Sequence, residues 1–402
     1  MKLLLIDDEA FALKLLTHQL AALGATDVTT SQSAVEALAL LANRDEHFDI
    51  VFCDLQMPDV DGIEFVRALA ATSFDGELAL ASGEDARILQ TAERLARAHG
   101  LRVLGSLKKP VSAEALREVL DKHAERVAAR PRAKRRTYGP DELRQAIAAG
   151  EIIGFCQPKV SMVSGALAGV EILARWQHAE DGLVFPDQFI DVAEASGLID
   201  ELTRAVLRNA LAQARRWRDA GLECRVAVNL SMDNLGNPEF ADFVVSALAQ
   251  AGVPPSGLVL EVTESRLMGD VRSALDVLAR LRLKRIDLSI DDFGTGHSSL
   301  AQLRDLPFNE LKIDRGFVHG ACRDAQLAAI LVASLDMAKN LGMHSVAEGI
   351  EDVEDWNFLR QCGCEIAQGY FIARPMPMVA LADWLPEWEQ RRRDMGLVKL
   401  KT

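Results

Sequence analysis

The stretch Ile152–Trp176, IIGFCQPKVSMVSGALAGVEILARW, contains two strand-like runs joined by only five residues, Ser161–Gly165. A connection of that length cannot hold the helix that a parallel crossover needs, so we expect an antiparallel hairpin. Six more strand-like runs follow it: RVAVNL (Arg225–Leu230), LVLEVTE (Leu258–Glu264), IDLSIDD (Ile286–Asp292), ELKID (Glu310–Asp314), MHSVAE (Met343–Glu348) and CEIAQG (Cys364–Gly369). Helical patterns fill most of the gaps, and eight strands alternating with helices predict a (β/α)8, TIM-like barrel whose first hairpin is antiparallel.

The first third of the chain shows the same alternation with fewer units. Its strand-like runs are KLLLID, TDVTT, DIVFCD, ELALAS and RVLGSL, and amphipathic helical segments separate them. Five such strands predict an α/β, doubly wound parallel sheet of the flavodoxin-like type. In this architecture the ligand site lies outside the carboxyl ends of the strands.

A basic stretch, ARPRAKRRTYGP (Ala129–Pro140), interrupts the alternation with two prolines and a glycine. An isolated basic run of this length is more often a solvated linker than an anion site. We therefore predict a first domain over residues 1–128, a basic linker over 129–140, a barrel domain over 141–390 and a C-terminal tail over 391–402.

Composition and charge exclude several classes of protein. The 49% hydrophobic and 26% charged residues are typical of a folded globular chain, and the net charge of −14 offers no general attraction for nucleic acid or anionic lipid. The first residues run straight into Asp7 and Asp8, unlike a signal peptide, and no segment approaches the ~18 apolar residues of a membrane span. We expect a cytoplasmic protein without direct contact to DNA or membrane.

Polar residues stand at the ends of the first-domain strands. Asp7 and Asp8 close the first, Asp54 the third and Ser82 the fourth, while Lys109 follows the fifth. Such a group suits one Mg²⁺ held by carboxylates and an aspartate that attacks a phosphoryl donor, with lysine and serine stabilising the phosphoryl oxygens.

These residues resemble the receiver domain of response regulators. The resemblance is carried by Asp7-Asp8, the run DLQMPDVDG (Asp54–Gly62), Ser82 and Lys109-Pro110. It implies phosphorylation of Asp54 by a sensor histidine kinase, Mg²⁺ binding by Asp7 and Asp8, and activation roles for Ser82 and Lys109.

The barrel strands also end in polar residues, and barrel enzymes carry their chemistry on that face. These residues are Glu171, Asn229, Glu261, Glu264, Asp291, Asp292, Lys312, Asp314, Glu348 and Gln368. Carboxylate and amide oxygens without histidine or cysteine favour Mg²⁺ or Mn²⁺. The acids exceed the needs of one ion, and two ions would form the clamp suited to phosphodiester hydrolysis.

The second half looks like the EAL-domain family of cyclic di-GMP phosphodiesterases. The matching runs are FCQPKV (Phe155–Val160), EILARW (Glu171–Trp176), NLS (Asn229–Ser231), EVTE (Glu261–Glu264), DDFGTGHSS (Asp291–Ser299), KID (Lys312–Asp314), AEGIE (Ala347–Glu351) and QGY (Gln368–Tyr370). The resemblance implies hydrolysis of cyclic di-GMP to linear pGpG, modulated by phosphorylation of Asp54, with inhibition by Ca²⁺. Self-association is a further family expectation.

The resemblance also implies residue roles. The metal ligands would be Glu171, Asn229, Glu261, Asp291, Asp292 and Glu348, with Asp291 as the bridge. Lys312 would orient or activate the attacking water, with Glu348 as the rival base, and Glu264 would steady the loop after the fifth strand. The substrate-binding residues would be Gln157, Leu173, Arg175, Asp314, Glu351 and Gln368, with Arg175 suited to the non-scissile phosphate.

The sequence departs from the family pattern at two positions, and three other functions are open to comparison with it. Ile172 replaces the alanine of Glu-Ala-Leu, but its side chain should point away from the ligands; His297 stands where tyrosine is common. A catalytically silent cyclic di-GMP receptor remains the alternative function, although such proteins usually lose ligands that are present here. A second, synthetic activity lacks a GGDEF-like run, and a DNA-binding regulator lacks a basic recognition helix.

Overall fold

The structure of the protein is a computed structural model. This structure describes residues 1–43, 47–58, 60–72, 74–83, 86–129, 136–263, 271–294, 303–304 and 306–397. The chain forms two compact units, Met1–Lys134 and Arg135–Thr402.

The first unit contains a five-stranded parallel sheet in the order β2-β1-β3-β4-β5. Its strands are β1 (Lys2–Ile6), β2 (Asp27–Ser31), β3 (Ile50–Asp54), β4 (Glu77–Ser82) and β5 (Arg102–Lys108). Its helices are α1 (Ala10–Ala22), α2 (Ala34–Ala42), α3 (Gly62–Ala70), α4 (Ala86–Ala98) and α5 (Ala113–Ala129). The predicted doubly wound fold is confirmed.

Side-chain alternation explains why this sheet is covered on both faces. Leu4 and Ile6 of β1 belong to one apolar core, whereas Leu3 and Leu5 belong to another. Successive strand residues point to opposite faces, so an uninterrupted apolar strand needs a helical layer on each side. The acids therefore gather at the strand ends, outside both cores.

The second unit is a closed barrel with two short additional strands beside it. Its strands are β6 (Ile152–Ser161), β7 (Leu167–His178), β8 (Gly182–Val184), β9 (Val226–Leu230), β10 (Leu258–Thr263), β11 (Asp287–Phe293), β12 (Glu310–Ile313), β13 (His344–Ala347), β14 (Ile366–Gln368) and β15 (Met376–Pro377). The pairing runs β6-β7-β9-β10-β11-β12-β13-β14 and returns to β6, with β8 beside β7 and β15 beside β6. The predicted eight-stranded barrel is confirmed.

Helices flank the barrel strands. They are α6 (Pro140–Ala149), α7 (Ile190–Ala195), α8 (Ile199–Asp219), α9 (Met232–Gly236), α10 (Phe240–Ala251), α11 (Val271–Leu283), α12 (Arg315–Val318), α13 (Ala325–Asn340), α14 (Val353–Gln361) and α15 (Leu381–Asp394). Short 3₁₀ turns lie at Pro186–Gln188, Pro255–Gly257, Ala321–Arg323 and Met378–Ala380. No helix in the described part of the chain combines the length and apolar character needed to cross a membrane.

Strand β6 is the reversed strand of the barrel. It pairs antiparallel with β7 and with β14, as the short Ser161–Gly165 connection predicts. The register sets Gln157 opposite Glu171, and Gln368 opposite Lys159. Gln157, in the middle of β6, therefore reaches the barrel face where the parallel strands end.

Structured residues are present on both sides of the predicted barrel-domain bounds, 141 and 390. Tyr138 lies in the predicted linker, yet it is buried, with its ring centroid 4.7 Å from that of Trp176. At the other end, α15 continues to Asp394, so the predicted tail begins inside a helix. Each segment carries an apolar side chain that packs with the barrel core, Tyr138 in the predicted linker and Leu397 in the predicted tail.

Candidate active site

Lys312 lies at the centre of the polar barrel face. Its side chain is 1% exposed, and its Nζ is 2.7 Å from Glu348 and 3.6 Å from Glu171. The distances from the same Nζ to Glu261 and Asp291 are both 2.9 Å. Burial opposes the charged ammonium, but the surrounding carboxylates outweigh it and raise the pKa of Lys312 well above its usual value. Lys312 is therefore a charged hydrogen-bond donor in this arrangement.

Two amide side chains donate to Glu171, and a third extends the network. Asn229 donates to one carboxylate oxygen at 2.9 Å, and Gln368 donates to the other at 2.7 Å. Gln368 also donates to Gln157 at 3.0 Å, and Gln157 donates to the Ala373 carbonyl. The structure thus brings the predicted ligands Glu171 and Asn229 together with the predicted substrate residues Gln157 and Gln368.

An irregularity in the pairing of β11 lets two consecutive aspartate side chains point into the same cavity. In a regular strand Asp291 and Asp292 would point to opposite faces. The pairing with β12 shifts register between Ile290 and Phe293, and Asp292 has φ of +55°, in the left-handed region that aspartate tolerates better than most residues. Both carboxylates consequently line the same cavity.

The acids form two groups that share Asp291. Glu171, Glu261 and Asp291 each offer an oxygen within 4.8 Å of the others, and so do Asp291, Asp292 and Glu348. Burial, with repulsion from neighbouring acids, raises the pKa of Asp292 to about 6 and that of Glu348 to about 8. This surplus of negative charge and the oxygen-only donor set fit divalent cations such as Mg²⁺ or Mn²⁺.

A second buried lysine lies beneath this face, and the sequence reasoning missed its role. The Nζ of Lys159 is 2.5 Å from Glu261 and 3.5 Å from Glu310. Burial opposes its charge, but the two glutamates outweigh burial and raise the pKa of Lys159 to about 12. Burial likewise favours the neutral form of Glu261, yet Lys159 and Lys312 lower the pKa of Glu261 to about 2. A lysine within the apolar stretch around FCQPKV was the available signal.

A cavity of about 310 Å³ opens over the acids. Its lining comprises Gln157, Glu171, Asp291, Asp292, Lys312, Arg315, Glu348, Gly349, Glu351, Gln368, Gly369 and Tyr370. Arg315 and Tyr370 were not among the predicted site residues, although Arg315 directly follows the quoted motif KID and Tyr370 is the last residue of QGY. Glu351, a predicted substrate residue, lies on this wall and pairs with Arg315 at 2.5 Å.

The remaining predicted substrate residues lie elsewhere in the described structure. Leu173 lines a neighbouring, more apolar cavity of about 280 Å³ together with Asn229. Arg175 is buried and donates to the Ala174 carbonyl, and its Cζ is 5.4 Å from the ring centroid of Phe155 and 5.0 Å from that of Phe185. Asp314 is the N-cap of α12 and accepts from the Gly316 amide at 2.7 Å. Glu264 and His297 lie outside the described residues.

The receiver residues converge as predicted from their strand ends. The Nζ of Lys109 is 2.6 Å from Asp54 and 2.7 Å from Asp7. Asp7, Asp8 and Asp54 each offer an oxygen within 4.8 Å of the others, and Ser82 is buried at the end of β4. Burial, partly offset by Lys109, raises the pKa of Asp54. The oxygen-only donor set fits a divalent cation beside Asp54.

The two folds and their sites define a class of protein, a response regulator whose output domain is a barrel enzyme. Family models agree with both halves: the response regulator receiver domain matches residues 3–121, and the EAL domain matches residues 141–375.

Similar proteins support the same assignment. The cyclic di-GMP phosphodiesterase RocR of Pseudomonas aeruginosa is 32% identical over 386 residues, which cover 96% of this chain and 98% of RocR. NbdA, a cyclic di-GMP phosphodiesterase of the same organism, is 44% identical over 61% of this chain and 31% of its own length. A solved structure of the PaMucR phosphodiesterase in a c-di-GMP complex aligns with a TM-score of 0.57 and 42% identity, covering 60% of this chain and 98% of that one. The chain belongs to the EAL-domain family of phosphodiesterases and carries the receiver domain of response regulators.

Proposed function

We propose that this protein hydrolyses cyclic di-GMP to linear pGpG with two divalent metal ions, and that phosphorylation of Asp54 modulates the rate. The observation that carries the proposal is the pair of acidic groups that share Asp291 around Lys312. RocR, which resembles the chain over nearly its whole length, and the PaMucR complex favour cyclic di-GMP as the substrate.

The residues proposed to hold the ions are those of the two acidic groups, with Asn229 as an amide ligand. When bound, Mg²⁺ or Mn²⁺ would activate water and neutralise charge on the scissile phosphate. Asp291 is the proposed bridging ligand because it is the member common to both groups. Ca²⁺ is expected to inhibit, since its longer and more flexible coordination does not match a compact two-ion site.

Lys312 is proposed to orient the attacking water. Its ammonium is held among four carboxylates and carries N–H donors only, so it can fix an oxygen atom by hydrogen bonding. Glu348 is the proposed base that accepts a proton from this water, because it lines the cavity and its carboxylate is 2.7 Å from the Nζ of Lys312. Gln368 of β14 holds Glu171 in place by donating to it, and it also donates to Gln157 of β6.

The proposed input is phosphorylation of Asp54 by a sensor histidine kinase. Lys109 contacts the carboxylate of Asp54 and would contact the oxygens of the phosphoryl group, while Asp7 and Asp8 would hold one Mg²⁺. No receiver residue belongs to the substrate set, so the expected effect is on rate and not on substrate choice.

Chromatography of cyclic di-GMP incubated with the full chain and Mg²⁺ or Mn²⁺ tests this function. We expect pGpG to accumulate, and EDTA to stop the reaction because it removes the ions from the acidic groups. Tight binding of cyclic di-GMP without product would favour the silent receptor instead.

A further inference from the structure

Glu261 has a lysine ammonium beside each of its carboxylate oxygens. The Nζ of Lys159 is 2.5 Å from Glu261 Oε1, and the Nζ of Lys312 is 2.9 Å from Glu261 Oε2. Glu261 is fully buried, and it is not among the described residues that line the cavity over the acids. Both of its oxygens are therefore engaged by cations of the protein itself.

The two lysines approach Glu261 from different sides. Lys312 lines the cavity of about 310 Å³, whereas Lys159 lines a separate, much smaller cavity together with Glu310. Glu310 and Lys312 are two positions apart on β12, so both side chains point to the same side of that strand. Lys159 lies between Glu310 and Glu261, and it therefore holds Oε1 on the side of Glu261 that is remote from the larger cavity.

Lys159 is fixed in this position by its strand and by its burial. In β6 it lies opposite Gly169 of β7 and Gln368 of β14. Its side chain is 6% exposed, and its second partner, Glu310, is 5% exposed. Because the two glutamates keep its pKa at about 12 despite burial, Lys159 is a permanent cation at neutral pH.

A carboxylate can bind a metal ion through one oxygen or through both. Ca²⁺ takes about 6–8 oxygens in flexible coordination and accepts two from one carboxylate, whereas Mg²⁺ demands nearly octahedral geometry. The ammonium of Lys159 repels a second cation at Oε1 and occupies the space beside that atom. Glu261 can then offer an ion only Oε2, which has a lone pair in addition to the one that Lys312 uses.

We propose that Lys159 sets the metal preference of the barrel site by limiting Glu261 to one ligand oxygen. The inference rests on the proposed function, in which Glu261 is a ligand of one of two divalent ions. Ligation through a single oxygen matches Mg²⁺ or Mn²⁺ and withholds an oxygen that Ca²⁺ would use. Lys159 is thus a specificity-determining residue that lies beneath the cavity and outside its lining.

The test measures Mg²⁺ and Ca²⁺ binding by calorimetry without substrate. Every protein, including the reference, carries Asp7→Ala, which removes a ligand from the receiver site so that the heat reports the barrel. The key variant is Lys159→Met with Glu310→Gln, because removing one charge of each sign leaves Glu310 without an unpaired buried charge. Glu310→Gln alone is the matched control, since it keeps Lys159 beside Glu261. Both ions carry the same charge, so the ratio of their Kd values isolates the number of ligand oxygens.

We expect the ratio of the Ca²⁺ Kd to the Mg²⁺ Kd to fall about tenfold in the double variant, and to stay within about twofold of the reference in Glu310→Gln. Lys159→Gln with Glu310→Gln is the second variant, because its amide keeps a hydrogen bond to Glu261 if methionine prevents folding; its ratio should fall in the same direction. Tryptophan fluorescence verifies that each barrel is folded.

An unchanged ratio in a folded double variant, or an equal fall in Glu310→Gln, would overturn the role of Lys159. The proposed function fails separately, on the reference protein alone, if neither ion binds its barrel. That outcome is distinct because it does not depend on any change at position 159.

Discussion

Replacing Lys159 with methionine should destabilise the barrel unit strongly. The Lys159 side chain is 6% exposed, and its partners Glu261 and Glu310 are 0% and 5% exposed. Methionine has a similar length and fills the space, but it leaves a buried negative charge without its partner. Glu310 is most affected, since its Oε1 has no hydrogen bond among the described residues and Lys159 is its ion-pair partner there.

The magnitude follows from the burial of all three groups. Removing one partner of a buried ion pair costs about 3–5 kcal/mol, because the remaining charge stays desolvated. For a unit of this size each kcal/mol lowers Tm by about 2–4 °C, so the expected decrease is roughly 6–20 °C. The double variant Lys159→Met, Glu310→Gln should recover at least about 1 kcal/mol, since it removes one charge of each sign.

Tryptophan fluorescence is a barrel-specific assay for this effect. All five tryptophans lie between Trp176 and Trp388, and residues 1–128 contain none. Urea unfolding in the presence of EDTA therefore reports the barrel without metal and without the receiver. The exposed Lys284 is the control, and Lys284→Met should change the free energy of unfolding by less than about 0.5 kcal/mol. A Lys159→Met barrel as stable as the Lys284→Met barrel would refute the reasoning.

Three further predictions concern the two sites. At pH 7 metal-free Glu348 should hold a proton, because its pKa is raised to about 8. Mg²⁺ binding should therefore release nearly one proton per protein at pH 7, and far less than one at pH 9.5, where Glu348 is already ionised. Calorimetry in buffers of different ionisation enthalpy measures this release, and Glu348→Gln should remove it. Glu171→Ala or Asp291→Ala should lower kcat for cyclic di-GMP more than about a hundredfold by removing a ligand, while His297→Tyr retains turnover; a dead His297 variant would mean a misplaced site. Phosphodonor should change the hydrolysis rate of wild type but not of Asp54→Asn; equal rates with phosphate on Asp54 would exclude control by the receiver.

Much of the architecture could be predicted from local patterns. The short Ser161–Gly165 connection excludes a crossover helix, so the antiparallel first hairpin followed from chain length alone. Parallel strands bring their carboxyl ends to one edge, so the convergence of Asp7, Asp54 and Lys109 could be expected before any coordinates. The same rule brought Glu171, Asp291 and Lys312 to one face of the barrel.

Tertiary structure decided the features that depend on contacts between distant segments. The sequence identified Asp291 and Asp292 as neighbours, but the register shift in β11 and the positive φ of Asp292 turn both carboxylates into one cavity. In the sequence Lys159 is a single lysine within a strand. Closure of the barrel places it against Glu261, which lies 102 positions further along the chain. Sequence patterns encode strand order and chemistry, whereas side-chain direction is set by packing partners that only the closed barrel brings together.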